Sequence, residues 1–247
     1  MTDQGAAGVT HEQRQRFWWL RELVRDEQRR QRTLFVLGLL SLLVFSLLAF
    51  LADTLQVLPF DLAATRELQE LRSGLLLRAM VAISLPGYSP WSLIIVGAGA
   101  LAIGALLGWR DGAFLLALTG LQGLANLLIK LAIGRPRPLS SLVDVVAPVS
   151  GNSFPSGHVM FYTVFFGFLF FLAWARLPAS LGRAAALTIC GGLVLLIGPS
   201  RMYLGAHWLS DVIAAHLLGL IILTFGIEFY LRYVSAARPA AAPRASP

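Results

Sequence analysis

Residues 113–138 read AFLLALTGLQGLANLLIKLAIGRPRP, an uncharged apolar run followed by a lysine and then an Arg-Pro-Arg-Pro segment. The run has the length of a membrane span, since a helix needs roughly 20 residues to cross the hydrocarbon of a bilayer. Pro136 and Pro138 cannot continue that helix, because each lacks a backbone N–H and its ring clashes with the preceding turn. The stretch predicts a helix that crosses a membrane and stops shortly after Lys130. Lys130 is the one lysine among 20 basic residues; the rest are arginine. A chain that otherwise avoids lysine has placed it at the end of an apolar run for a purpose.

The same kind of run recurs. Apolar stretches at 34–52, 91–109, 158–175, 184–199 and 212–227 join 113–129, most of them 16 to 20 residues long. With 57% hydrophobic and 13% charged residues, the chain is too apolar for an ordinary soluble domain. Only closed backbone hydrogen bonding is tolerated in lipid. The expectation is therefore an all-α, polytopic membrane protein with six transmembrane helices. The run at 184–199 is among the shortest, and a soluble core helix is its bland alternative. The first run follows a 33-residue charged tail and lacks a small-residue cleavage site, so it reads as a span and not as a signal. The lone cysteine, Cys190, excludes an internal disulfide and a cysteine-rich zinc site, and reads as a packed apolar residue.

A formal charge of +7 invites a nucleic-acid reading, but the arginines sit where topology wants them. Arg14 to Arg32 precede the first span, Arg110 follows the second, Arg176 and Arg183 follow the fourth, and Arg232, Arg238 and Arg244 follow the sixth. These are alternate ends of the spans. The positive-inside rule then puts both termini in the cytoplasm, with no nucleic-acid partner implied. Three segments result: a cytoplasmic basic tail (1–33), a six-helix membrane domain (34–235), and an Ala/Pro-rich disordered tail (236–247). Phe17, Trp18, Trp19, Leu20, Leu23 and Val24 give the first tail an amphipathic pattern. It either lies on the anionic inner leaflet or is a solvated helix leading into the first span. In the first outer connection (53–90), Leu68, Leu71, Leu75 and Leu76 recur near helical spacing, predicting one interfacial helix over Arg66–Arg78. Residues 134–157 form the second outer connection.

With that topology, Lys130, Arg137, Ser156, Gly157, His158, Arg201, His207 and Asp211 all fall at the outer ends of spans 3 to 6. Such a set suits phosphoryl transfer, which needs positive charge around the equatorial oxygens, an in-line nucleophile and a proton for the leaving oxygen. Lys130 offers a mobile point charge, and Arg137 and Arg201 offer planar forks for bidentate contact. Pro155 opens span 4, so the N–H groups of Ser156 and Gly157 and the serine hydroxyl face an anion at a helix N-terminus. His207 and Asp211, four apart, share a helix face. A carboxylate accepting one ring N–H leaves the other nitrogen as a nucleophile. His158 is then the general acid. His216 reads as a packed histidine, and Arg135 divides evenly between a headgroup anchor and a site residue.

These segments resemble the signature of the type 2 phosphatidic acid phosphatase superfamily: K-x6-R-P, then P-S-G-H, then S-R-x5-H-x3-D. Lys130 to Arg137-Pro138, Pro155 to His158, and Ser200-Arg201 to His207 to Asp211 fill every position. The resemblance implies a phosphohistidine mechanism without metal or other cofactor, with His207 as nucleophile and His158 as acid. It also implies membrane lipids with a terminal phosphate or diphosphate as substrates. The signature is also similar to that of vanadium-dependent haloperoxidases, which are soluble, so the six spans argue against them. A lipid-binding or lipid-translocating protein with a non-turning-over pocket is the alternative of a different class. For an outward-facing bacterial protein, arginine-rich as a GC-rich genome would make it, undecaprenyl diphosphate is the favoured substrate. Phosphatidic acid and phosphatidylglycerol phosphate come next.

The orientation is testable by labelling. In a Cys190→Ser background, Val145→Cys should react with an impermeant thiol reagent from outside. Ser180→Cys should react only after permeabilisation. The reverse pattern would put the motif face in the cytoplasm.

Overall fold

A computed structural model describes residues 27–71, 73–146 and 149–235. The two tail readings, the amphipathic pattern at 17–24 and the segment 236–247, lie outside the described residues. The chain divides into two units, the first ending at Leu40 and the second beginning at Ser41. In the first, the described residues are the opening turns of helix α1 (Glu27–Leu55). The second holds the rest of α1 and α2 (Pro59–Glu70), α3 (Gly74–Ser84), α4 (Trp91–Leu107), α5 (Trp109–Ile133), α6 (Gly157–Arg176), α7 (Leu181–Tyr203) and α8 (Leu209–Phe229). No strand occurs among the described residues.

Five helices are each long and apolar enough to cross a membrane: α1, α5, α6, α7 and α8. The run at 91–109, expected as the second span, is not one long helix. α4 ends at Leu107 with 17 residues, and it is preceded, across a 61° bend, by α3 and the 3₁₀ turn Leu85–Gly87. The short run at 184–199 proves to be the middle of a 23-residue helix with Ile189 and Leu195 well exposed, as a lipid-facing surface requires. Exposure of apolar side chains here is what lipid solvates.

The core is built around α6. Val159, Met160, Tyr162, Val164, Phe165 and Phe168 are all buried, from one end of the helix to beyond its middle. α5, α7 and α8 pack against it. Close approach between the helices depends on small residues. A Cβ on Gly112 of α5 would lie 2.3 Å from the Ala100 carbonyl oxygen of α4, so the α4–α5 hairpin closes backbone to backbone there.

One expected helix over Arg66–Arg78 is instead two. α2 ends at Glu70, and Ser73 starts α3 by accepting a hydrogen bond on its hydroxyl from the Leu76 N–H. The competing signal was a cap: a serine oxygen satisfies one of the orphan N–H groups of a new helix and stops the pattern running through. The buried face of α2 is polar. In α2 the buried residues are Asp61, Thr65 and Gln69, spaced four apart, so the polar face turns inward. The Gln69 amide donates to the carbonyls of Asp144 (2.7 Å) and Tyr203 (3.0 Å) and accepts from the Asp144 N–H (2.9 Å). α2 and α3 thus pack onto the chain segments that carry the motif.

Candidate active site

Every motif residue sits at one end of the bundle. Lys130 is in the last turn of α5, Ser156 caps α6, Arg201 is in the last turn of α7, and Asp211 is in the first turn of α8. α5 stops where Gly134 takes a left-handed conformation (φ 66°) and its N–H bonds the Lys130 carbonyl. Residues 204–208 then turn the chain from α7 into α8. Gly205 (φ 65°) is required there, because a Cβ would lie 2.1 Å from the Asp144 carbonyl oxygen.

His207 lies in that turn, 2% exposed. Its Nδ1 is 3.3 Å from Asp211 Oδ2, and its Nε2 is 3.2 Å from Arg137 Nη1. The first distance is long for such a bond, as catalytic hydrogen bonds often are before substrate arrives. The pairing sets the tautomer. With the proton on Nδ1 facing a carboxylate, Nε2 carries the lone pair and faces the guanidinium. Burial lowers the pKa of His207 below the ordinary 6.5; Arg137 and Arg201 add to this, and Asp211 opposes it. The ring is therefore neutral at physiological pH, the state in which nitrogen is nucleophilic.

Around it lie the expected cations. Arg137 is anchored to the carbonyls of Gly151 (3.0 Å) and Ala206 (2.9 Å). Arg201 is 1% exposed; its Nη1 donates to the Tyr88 hydroxyl (2.6 Å) and the Ser84 hydroxyl (3.2 Å), and its Cζ lies 5.1 Å from the Tyr88 ring centre. The imidazole of His158 packs edge-on to Tyr88 with ring centres 4.6 Å apart. Gly87 makes room for it, since a Cβ would lie 2.2 Å from the ring. Ser156 Oγ, His158 Nε2 and Arg201 Nε are buried with no protein hydrogen-bond partner. Leaving a polar atom so costs about 1–3 kcal/mol; Thr65 Oγ1 and Trp208 Nε1 share this state outside the motif. Two donors and an imidazole nitrogen beside a guanidinium–imidazole pair are suited to an oxyanion.

Three expectations are corrected. The Ser156 N–H does not face outward; it donates to the Asp211 carbonyl (3.2 Å), tying α6 to α8. Pro155 precedes the cap and α6 begins at Gly157, whose close neighbour is Asn126 Oδ1. Lys130 is not mobile. Its ammonium donates to the Asn152 (2.6 Å) and Ser153 (3.2 Å) carbonyls, and Asn152 returns a bond to the Lys130 carbonyl (2.7 Å). Two of its three donors therefore hold the loop that leads into α6. Arg135 is no headgroup anchor: it is 1% exposed, with Nη1 2.5 Å from Asp211 Oδ1. His216 is packed as expected, its Nδ1 3.0 Å from the Thr163 hydroxyl. Sequence reasoning missed Tyr88, Ser84 and Ser153, whose hydroxyl donates a short bond to Asp211 Oδ2. No group of acidic, histidine or cysteine residues able to hold a metal ion occurs among the described residues.

The PAP2 superfamily profile matches residues 111–235, more than half of the chain. The chain belongs to the PAP2 superfamily. It is 32% identical over 185 residues to phosphatidylglycerophosphatase B of Bacillus subtilis, covering 73% of this chain and 88% of that protein. It is 31% identical over 159 residues to a Schizosaccharomyces pombe protein named probable diacylglycerol pyrophosphate phosphatase 1, covering 53% of this chain and 57% of that one. Among solved structures, a transmembrane PAP2-type phosphatidylglycerolphosphate phosphatase from Bacillus subtilis superposes with a TM-score of 0.68 at 29% identity, covering 79% of this chain and 96% of that one. This PAP2 chain is thus a multi-pass membrane phosphatase.

The lowered pKa of His207 has a consequence for stability. The folded-state value lies below the unfolded one, so the unfolded chain binds the extra proton as pH falls. Stability contributed above pH 6.5 is lost progressively below it. The thermal midpoint of the wild-type protein in detergent should fall on acidification below that pH more steeply than that of His207→Gln. Parallel curves would contradict the neutral, buried imidazole.

Proposed function

We propose that this protein removes the terminal phosphate of a membrane lipid by double displacement at His207, with no metal ion. The observation that carries it is the His207 ring held between Asp211 and Arg137, buried, with its Nε2 toward the guanidinium. In the first step Nε2 attacks phosphorus and the P–O bond to the lipid breaks. His158 gives its proton to the departing oxygen. In the second, water attacks phosphorus, His158 takes the water proton, the N–P bond breaks, and inorganic phosphate leaves. Asp211 holds the Nδ1 proton throughout and offsets the positive charge of the phosphoimidazolium. Arg137, Arg201, the third donor of Lys130 and the Ser156 hydroxyl take up the charge on the equatorial oxygens. Gly157 allows the α6 terminus to approach.

The site lies at the helix ends, near headgroup depth, so a lipid reaches it sideways with its chains still in the bilayer. Outward orientation favoured undecaprenyl diphosphate. The named activity of the bacterial relatives moves the weight to phosphatidylglycerol phosphate, with phosphatidic acid and undecaprenyl diphosphate behind it. The fission-yeast relative, named for a lipid diphosphate, keeps diphosphates in the comparison.

The test is phosphate release by purified protein in detergent and EDTA from a matched panel of those three lipids. Phosphatidylglycerol phosphate should be turned over fastest. A clear preference for undecaprenyl diphosphate would restore the cell-wall reading. Absence of release from all three, or activity that EDTA abolishes and magnesium restores, would overturn the proposal.

A further inference from the structure

Helix α2 reaches the site from a side that the signature does not describe. Asp61, in its first turn, has a fully buried side chain and stands 2.7 Å from Arg135 Nη2. The same carboxylate accepts the Ser210 N–H (2.7 Å) and the Ser210 hydroxyl (2.7 Å). Arg135 bridges onward. Its Nη1 lies 2.5 Å from Asp211 Oδ1 and 2.7 Å from Ser210 Oγ, and its Nε donates to the Gln56 carbonyl at 2.7 Å. Gln56 holds a positive φ of 54°, a conformation that costs a non-glycine residue energy and that the Arg135 bond helps to hold. A buried line of alternating groups results: Asp61, Arg135, Asp211 and His207, each at most 2% exposed.

We propose that Asp61 is a positioning residue for the phosphatase reaction, neutralising Arg135 so that the charge of Asp211 remains available to His207. This rests on the reading of His207 as nucleophile. When Nε2 bonds phosphorus while Nδ1 keeps its proton, the ring gains a positive charge. With Asp61 present, two carboxylates face one guanidinium, and the imidazolium brings the set to neutrality. Without Asp61, Arg135 alone cancels Asp211, and the imidazolium forms in a buried site with one uncompensated positive charge. Water screens this poorly there, so the imbalance bears on the reacting group. Arg137, Arg201 and Lys130 do not fill the gap, because they carry positive charge and surround the phosphate side of the ring. Asp61 also anchors α2, and a purely structural role has to be separated from the electrostatic one.

A charge-matched pair of substitutions separates them. Asp61→Asn removes the charge at constant shape. Arg135→Gln removes the guanidinium charge and keeps an N–H for Asp211. With full-length protein and phosphatidylglycerol phosphate in detergent, Asp61→Asn should lower kcat about tenfold or more while KM stays within about threefold. The double variant Asp61→Asn/Arg135→Gln should recover at least about fivefold of that kcat, since balance is restored although two anchors are lost. A double variant no better than Asp61→Asn, or Asp61→Asn itself at half the wild-type kcat or more, would overturn the proposal. If Asp61→Asn does not fold, the double variant decides alone. A kcat within about tenfold of wild type supports the balance; a folded double variant below that, or one that fails to fold, contradicts it. Rapid-quench labelling of the wild type separates the two levels. No covalent phosphate on the wild type means that the nucleophile reading fails, whereas labelling with an indifferent Asp61→Asn removes the Asp61 assignment alone.

Discussion

Asp211 accepts four hydrogen bonds through its two carboxylate oxygens, from Arg135, Ser153, His207 and the Trp208 N–H. Its own carbonyl accepts the Ser156 N–H. One buried residue therefore joins the loop after α5, the start of α6, the turn after α7 and the first turn of α8. Burying an ionised carboxylate is costly unless it is paired and hydrogen-bonded, and here Arg135 meets Oδ1 while Ser153, His207 and the Trp208 N–H meet Oδ2. The arrangement is a constraint as much as a stabilisation. Moving any of these elements by an ångström strips Asp211 of a donor and turns the His207 ring, so the geometry of the site and the packing at this end of the bundle are fixed together.

The consequences run outward from that point. Arg135 is held to Asp211 and, through Asp61, to α2; Gln69 on the same face of α2 holds the backbone at Asp144 and Tyr203. α3 is tied in through Ser84, whose hydroxyl is 2.6 Å from that of Ser200 and also meets Arg201. The two helices that precede α4 thus serve as a polar lining pressed onto the motif. Lys130 pins the loop at Asn152 and Ser153, which brings the Ser153 hydroxyl to Asp211. A residue expected to meet phosphate directly also shapes the loop behind it.

Much of this was legible in the sequence. Apolar length located five of the spans, the two prolines marked the end of α5 to within a few residues, and the three motif segments named the residues that the fold brings to one end. That worked because spans are dictated by the lipid, and because the motif residues sit at helix ends whose positions the spans fix. What stayed hidden depends on contacts far apart in the chain. Asp61 and Ser210 are 149 positions apart, and nothing local to α2 marks its polar face as the buried one. Arg135 looks the same as a headgroup anchor until Asp61 and Asp211 are seen beside it. The break at Ser73 came from a cap that a leucine pattern outweighed. The Ser156 N–H looks like a free helix-end donor in sequence, but the α8 backbone accepts it.

The account depends most on a covalent bond forming at His207. Purified protein mixed with ³²P-labelled phosphatidylglycerol phosphate, quenched within milliseconds in alkali and mapped by peptide mass, tests it directly. An acid-labile, alkali-stable phosphate on the peptide bearing His207, absent from His207→Ala and released as inorganic phosphate in a chase, is the predicted result. Turnover with no covalent phosphate at any time point, or a label on another residue that survives His207→Ala, would contradict it.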